Sequence, residues 1–103
     1  MKTSLVTKLE SLSDRHEEVA ALLADAETAS DPNKFRALSQ EYAQLDDVVK
    51  VYDGYRRAKD DLAEAQLMLE DSDPDVREMA EEEIGAAESH MSFAEAELQV
   101  LML

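Results

Sequence analysis

The sequence predicts an all-α fold: a three-helix antiparallel bundle of coiled-coil type with a long central helix. Apolar residues recur at alternating three- and four-residue spacings, the periodicity of a helix that packs along one side. The chain has only two glycines and two prolines, fewer than strand-and-turn architectures usually need. Each proline follows a Ser-Asp pair, which is a helix start signal. The two signals divide the chain into three helical segments.

The first helix is expected to run from about Ser4 to Glu27. The apolar row that would face a neighbouring helix, its seam, comprises Leu5, Leu9, Leu12, His16, Val19, Leu23 and Ala26. The pattern ends at Ser30-Asp31-Pro32. Proline suits the first turn of a helix, and a Ser or Asp side chain caps the free amide groups there, so this tripeptide begins the next helix.

The second helix is expected from about Pro32 to Glu70. Its seam comprises Phe35, Leu38, Tyr42, Leu45, Val49, Tyr52, Tyr55, Ala58, Leu62, Ala65 and Leu69. Near Gly54 a three-residue step replaces a four-residue step, which is a stammer in the repeat. Glycine also weakens a helix by roughly 1 kcal/mol relative to alanine. We therefore expect a bend, or a change of the facing helix, near Gly54.

Ser72-Asp73-Pro74 begins the third helix, and Ser72 and Asp75 have the spacing of a capping box. The seam of this helix comprises Val76, Ala80, Ile84, Ala87, Met91, Ala94, Leu98 and Leu101. Its alanines would let the helix approach a neighbour closely. The chain then ends in an apolar run, so we expect residues 1–103 to be one domain of a longer protein, with Leu98, Leu101 and Leu103 partly exposed.

Charge is high and unevenly distributed. The chain has 25 acidic and 10 basic residues, for a net charge of -15, and Arg77 is the single base after residue 71. Such a field repels nucleic acid and anionic membranes at long range, although solvation of the helices is the simpler reason for it. The absence of cysteine, of a signal-peptide pattern and of a membrane-length apolar run predicts a soluble, intracellular protein.

Two motifs suggest metal chemistry, and each is incomplete. Asp71, Asp73, Asp75 and Glu82 have the spacing of a calcium loop, but the position that needs glycine is Val76. Capping of the third helix explains these acids better.

His16-Glu17 begins like a zinc-protease motif, but Ala20 stands where the second histidine is required. We interpret His16 as a seam residue with a satisfied hydrogen bond; the other histidine is His90. Carboxylate pairs without a cleft do not define a catalytic site. We therefore expect no catalytic residue, no metal and no cofactor.

One basic cluster, Arg56, Arg57 and Lys59, follows Tyr52 and Tyr55. Such a surface suits contact with RNA backbone or with a partner protein, so these three bases are the candidate partner-binding residues. The alternative is that the tyrosines belong to the core and the bases pair with neighbouring acids. Those acids would be Asp53, Asp60 and Asp61.

Several segments resemble the opening of bacterial peptide chain release factor 1, in order and over essentially the whole chain. They are Lys8-Leu9-Glu10, Arg15-His16-Glu17-Glu18, Phe35-Arg36-Ala37-Leu38-Ser39, Glu41-Tyr42-Ala43-Gln44-Leu45, Met68-Leu69-Glu70-Asp71, Arg77-Glu78-Met79-Ala80 and Leu98–Leu103. The similarity is greater to factor 1 than to its factor 2 paralogue. The resemblance implies that the chain is the N-terminal domain of such a factor.

Full-length members of that family read the stop codons UAA and UAG and direct peptidyl-tRNA hydrolysis through a Gly-Gly-Gln motif. This chain has neither that motif nor the Pro-x-Thr codon-reading loop, since its glycines are separated and both prolines lie in Ser-Asp-Pro. The resemblance therefore implies a non-catalytic, cytoplasmic docking domain. Its implied partners are the ribosomal stalk base (protein and rRNA), the class II release factor GTPase and the later domains of its own chain.

Helices one and two should carry the ribosomal contact, because the acidic third helix repels RNA. Two alternatives follow from the residues alone. One is a self-associating acidic helical scaffold or adaptor, and the other is an acidic mimic of nucleic acid that occupies a basic protein.

Overall fold

The computed structural model describes all 103 residues. It contains four helices and no strand: α1 Thr3–Leu23, α2 Ala26–Ala29, α3 Pro32–Met68 and α4 Pro74–Leu101. The prediction of an all-α fold with a long central helix is confirmed, since α3 has 37 residues. The chain forms two compact units, Met1–Lys50 and Val51–Leu103. No helix has the length and apolar content that a membrane crossing requires.

The first helix ends earlier than expected, and a short extra helix follows it. α1 ends at Leu23 rather than Glu27, because the Asp25 carboxylate accepts a hydrogen bond from the Glu27 amide at 2.9 Å and so begins α2. An aspartate that caps a new helix competes with continuation of the old one. As a result Ala26, expected on the seam, is exposed, and Thr28 is the buried residue of this turn.

Both Ser-Asp-Pro signals begin helices, as predicted. The Asp31 carboxylate accepts a hydrogen bond from the Lys34 amide at 3.2 Å. At the second signal the Asp73 carboxylate accepts from the Asp75 amide at 2.9 Å. The N-cap of α4 is therefore Asp73 rather than Ser72.

The first unit is built on an antiparallel pairing of α1 with the first part of α3. Its buried apolar residues are Leu9, Val19, Leu38 and Val49. The His16 ring stacks on the Tyr42 ring with centroids 4.5 Å apart. Phe35, expected on the seam, is 43% exposed, because it lies in the first turn of α3 and the buried row of this helix begins only at Leu38.

Ion pairs flank this apolar contact. The Arg15 guanidinium donates to both Glu41 carboxylate oxygens, at 2.6 and 2.8 Å. These bonds raise the pKa of Arg15 and hold the pKa of the Glu41 carboxyl below its ordinary value. The Asp46 carboxylate contacts Lys50 at 2.9 Å and His16 at 3.0 Å. Hydrogen bonds from Lys50 and then from His16 lower the pKa of Asp46, and the prediction of a hydrogen-bonded His16 is confirmed.

The second unit pairs the remainder of α3 with α4. The buried residues of α3 are Tyr52, Tyr55, Ala58 and Ala65, and those of α4 are Ala80, Ala87, Ala94 and Leu98. Because five of these eight buried residues are alanines, the backbones of α3 and α4 can approach closely. Burial, and then the neighbouring Glu95 carboxylate, raises the pKa of the Tyr55 hydroxyl.

α3 continues as a helix through Gly54, while its packing partner changes from α1 in the first unit to α4 in the second. The buried positions Val49, Tyr52, Tyr55 and Ala58 follow one another at three-residue steps, which is the stammer that the sequence predicts. The structure therefore shows the expected change of facing helix without a break in α3.

The apolar C-terminal run is only partly exposed. Leu101 and Leu103 are exposed by 40% and 104% of their reference areas, as expected, but Leu98 is 0% exposed. The expectation for Leu98 is wrong because this residue lies four positions after buried Ala94, on the same side of α4.

Replacement of Leu98 by alanine should lower the free energy of unfolding by about 2–5 kcal/mol, because it empties a fully buried site. Leu67, which is 72% exposed, provides the matched control, and Leu67→Ala should change that free energy by less than about 0.5 kcal/mol. Urea unfolding followed by circular dichroism measures both. Equal losses in the two variants would contradict the burial of Leu98.

The Arg15–Glu41 pair should stabilise the protein at neutral pH and stop doing so in acid. A carboxyl whose pKa is lowered by folding contributes fully above its unfolded pKa of about 4.3 and loses that contribution as pH falls through the folded value. Glu41→Gln should therefore have a lower urea midpoint than wild type at pH 7, and the difference should shrink toward pH 2.

Glu17→Gln removes an exposed carboxylate that makes no ion pair and is the control for net charge. The difference in urea midpoint between Glu17→Gln and wild type should not shrink between pH 7 and pH 2 as that of Glu41→Gln does. A Glu41→Gln difference that is unchanged between pH 7 and pH 2 would show that the pair contributes nothing through its charge.

Candidate functional site

The aspartates before α4 accept hydrogen bonds from backbone amides. The Asp71 carboxylate accepts a hydrogen bond from the Asp73 amide at 2.8 Å, and Asp73 in turn caps Asp75. The Arg77 guanidinium donates to the Asp71 carbonyl at 2.8 Å. The capping interpretation of this segment is confirmed. No group of three or more His, Asp or Glu side chains is arranged to hold a metal ion.

The two tyrosines that precede the candidate partner-binding bases lie in the core. Tyr52 is 2% exposed and Tyr55 is 7% exposed. Their rings are nearly parallel, with centroids 6.4 Å apart and an angle of 11° between the planes. Neither ring is exposed enough for an RNA nucleobase to stack on it. The interpretation of the two tyrosines as core residues is therefore confirmed.

Arg56 is held by contacts within the second unit. Its guanidinium forms an ion pair with the Asp53 carboxylate, three residues earlier. Its Cζ atom also lies 4.6 Å from the centroid of the Tyr52 ring, a cation–π geometry. The pairing of Arg56 with Asp53, which the sequence offered as an alternative to partner binding, is confirmed. A partner would have to compete with Asp53 and Tyr52 for this guanidinium.

Arg57 and Lys59 differ from Arg56, because both are exposed and neither forms an ion pair or a hydrogen bond with a side chain. Pairing of these bases with Asp60 or Asp61, the alternative that the sequence left open, does not occur. Arg57 lies with Arg56, Asp53 and Asp60 around one shallow depression.

Lys59 is not among the residues around that depression. Residues two apart in a helix point about 200° away from each other, so Lys59 lies on a different side of α3 from Arg57. The structure therefore brings two of the three candidate residues together. The third can meet a partner only if that partner wraps around the helix.

Sequence reasoning missed a second apolar row on α4. Met79, Phe93 and Val100 are 54%, 72% and 68% exposed. The signal that could have found them is their spacing, because with Ala86 they recur every seven residues beside the buried row. Only one apolar row had been assigned to this helix from the sequence.

Comparison with known protein families matches residues 12–103 to the PCRF domain, a release-factor domain. The matched range includes most of the first unit and the whole of the second. The resemblance to release factors is thereby confirmed at the level of this domain. The PCRF domain implies a release-factor-type role in translation termination. The chain belongs to the PCRF domain family.

Proposed function

We propose that this chain is the N-terminal docking domain of a factor of the release factor 1 type. The complete factor would read UAA and UAG and direct peptidyl-tRNA hydrolysis in the cytoplasm. The domain would dock at the stalk base of the large ribosomal subunit, through its protein and its rRNA, and communicate with the class II release factor GTPase. The PCRF match over residues 12–103 is the observation that carries this proposal.

A docking role agrees with what the chain contains. Its two glycines, Gly54 and Gly85, both lie inside helices, so no Gly-Gly-Gln loop is present. Its two prolines both begin helices. In the proposed factor the hydrolytic and codon-reading chemistry belongs to other domains, and this domain contributes position and contact.

The helix that suits contact with rRNA is α3. This helix holds six of the ten basic residues: Lys34, Arg36, Lys50, Arg56, Arg57 and Lys59. Four of the six, Lys34, Arg36, Arg57 and Lys59, are exposed and form no ion pair. Such a base can meet a phosphate without first breaking an ion pair. Of these four, Arg57 and Lys59 belong to the candidate partner-binding cluster. α4 is unsuited to this contact, since it carries Arg77 as its single Lys or Arg.

The 103-residue protein alone should release no peptide from ribosomes stalled at a stop codon, because the proposed chemistry lies outside it. Radiolabelled peptidyl-tRNA in a stop-codon complex measures this directly. The control is a complete factor of the same type, which should release the peptide in the same assay. Stop-codon-dependent release by the 103-residue protein would contradict the assignment of the domain as a docking module.

Charge reversal at Arg57 and Lys59 in the complete factor should weaken binding to stop-codon ribosomes and slow termination at limiting factor concentration. If both side chains meet phosphate, the dependence of log affinity on log salt should fall by about one unit for each contact. The variant leaves Arg56 intact, because Arg56→Glu would also disturb the contacts with Asp53 and Tyr52. Binding is measured at several salt concentrations, together with the termination rate.

The matched control adds the same negative charge to α4, as the fourfold variant Ser89→Glu, Ser92→Glu, Ala96→Glu and Gln99→Glu. All four side chains are exposed, and the net charge changes by the same amount. This control should retain binding and its salt dependence. Equal losses in the two variants would reduce the effect to net charge, and no loss in either would remove α3 as the docking surface.

A further inference from the structure

α4 presents an apolar row to solvent in addition to the row that it buries. Met79, Ala86, Phe93 and Val100 are spaced seven residues apart, and all four are exposed. A seven-residue step returns to within about 20° of the same side of a helix, so these side chains form one row. The exposed row contains the phenylalanine of α4, whereas the buried row consists mainly of alanine.

Single exposed apolar residues are ordinary on a protein surface, but a row in register along one helix is a surface suited to a partner. Phe93 and Val100 are exposed by 72% and 68%, so nothing within residues 1–103 covers them. Ala86, between Met79 and Phe93, is small enough to let a partner approach the backbone. The row therefore has the large anchor and the small gap that helix-on-helix packing uses.

Acids flank this row closely. Glu82 and Glu83 lie three and four residues after Met79, and Glu97 lies four residues after Phe93, so all three are within one turn of the row. They are exposed and form no ion pair. Arg77, the single Lys or Arg of α4, is hydrogen-bonded to the Asp71 carbonyl. The surface is thus an apolar row with an uncompensated negative border.

We propose that the exposed face of α4, defined by Met79, Ala86, Phe93 and Val100, docks a basic amphipathic helix of a partner protein. The seven-residue spacing fits a helix that lays its own apolar row along α4. Lysine or arginine side chains at the edges of that helix would meet the glutamates, which gives the contact its charge complementarity. This inference goes beyond the contact of α3 with rRNA and does not depend on it.

The acidic border argues against the other occupants of such a face. In a dimer formed through this face, the glutamates of one copy would lie near those of the other. Repulsion between these like charges disfavours self-association. Nucleic acid and anionic lipid would be repelled by the same charges. A basic protein helix is the occupant whose apolar row and charges both fit.

The test uses an 18-residue synthetic peptide of leucine and lysine, with leucine at the a and d positions of each heptad and lysine elsewhere. Its affinity for the 103-residue protein is measured by isothermal titration calorimetry, and its position by NMR chemical shifts. We expect the shifts to centre on α4. Phe93→Ala with Val100→Ala should weaken binding at least about tenfold, because aromatic anchors dominate such contacts.

Two controls separate this contact from general attraction to an acidic protein. Phe35→Ala removes another exposed phenylalanine, on α3, and should leave the affinity unchanged. A peptide with glutamate in place of every lysine keeps the leucine row and should not bind. Circular dichroism should show that all variants keep their helix content, because the replaced side chains are exposed.

Two results would overturn the proposal. Equal affinity of wild type and the Phe93→Ala/Val100→Ala variant would show that only charge attracts the peptide. Sedimentation that reveals a wild-type dimer, lost in the same variant, would show that the occupant is a second copy of the chain.

Discussion

The fold depends on α3 serving two packing partners as one uninterrupted helix. Within the first unit its buried residues meet α1, and within the second they meet α4. The buried positions Val49, Tyr52, Tyr55 and Ala58 follow one another at three-residue steps, and α3 continues through them without a break. Gly54 lies among these positions, and its Cβ position is open. Gly54 therefore makes no close contact that only a glycine could allow.

The two units achieve their pairing by different means. In the first unit a modest apolar contact is flanked by the Arg15–Glu41 and His16–Asp46 contacts between α1 and α3. Their members are partly exposed, so these contacts mainly fix the register of the two helices. In the second unit alanines on α4 allow close approach, and Tyr52 and Tyr55 fill the space on the α3 side. Phe93 of α4 lies outside this contact and is 72% exposed.

Much of this was readable from the sequence, and the exceptions have physical causes. The helix starts at Pro32 and Pro74 followed from Ser-Asp-Pro, because capping is a local interaction. The early end of α1 was missed because Asp25 lies inside a continuing apolar pattern, and its side chain outcompetes that pattern. Leu98 was misjudged from its position near the end of the chain, whereas its helical phase decides its burial. Arg56, Arg57 and Lys59 look like one cluster in sequence, but helical geometry separates Lys59 from Arg57.

Charge and apolar surface are divided between the two helices of the second unit. On α3, Arg57 and Lys59 are exposed bases without a bulky apolar neighbour on the surface, which suits phosphate but gives little to hold a protein. On α4, Phe93 lies among glutamates, which suits a basic protein helix and repels phosphate. Both sets of side chains lie outside the core, so changes at one should leave the other intact. The two proposed contacts therefore use different side chains and opposite charges.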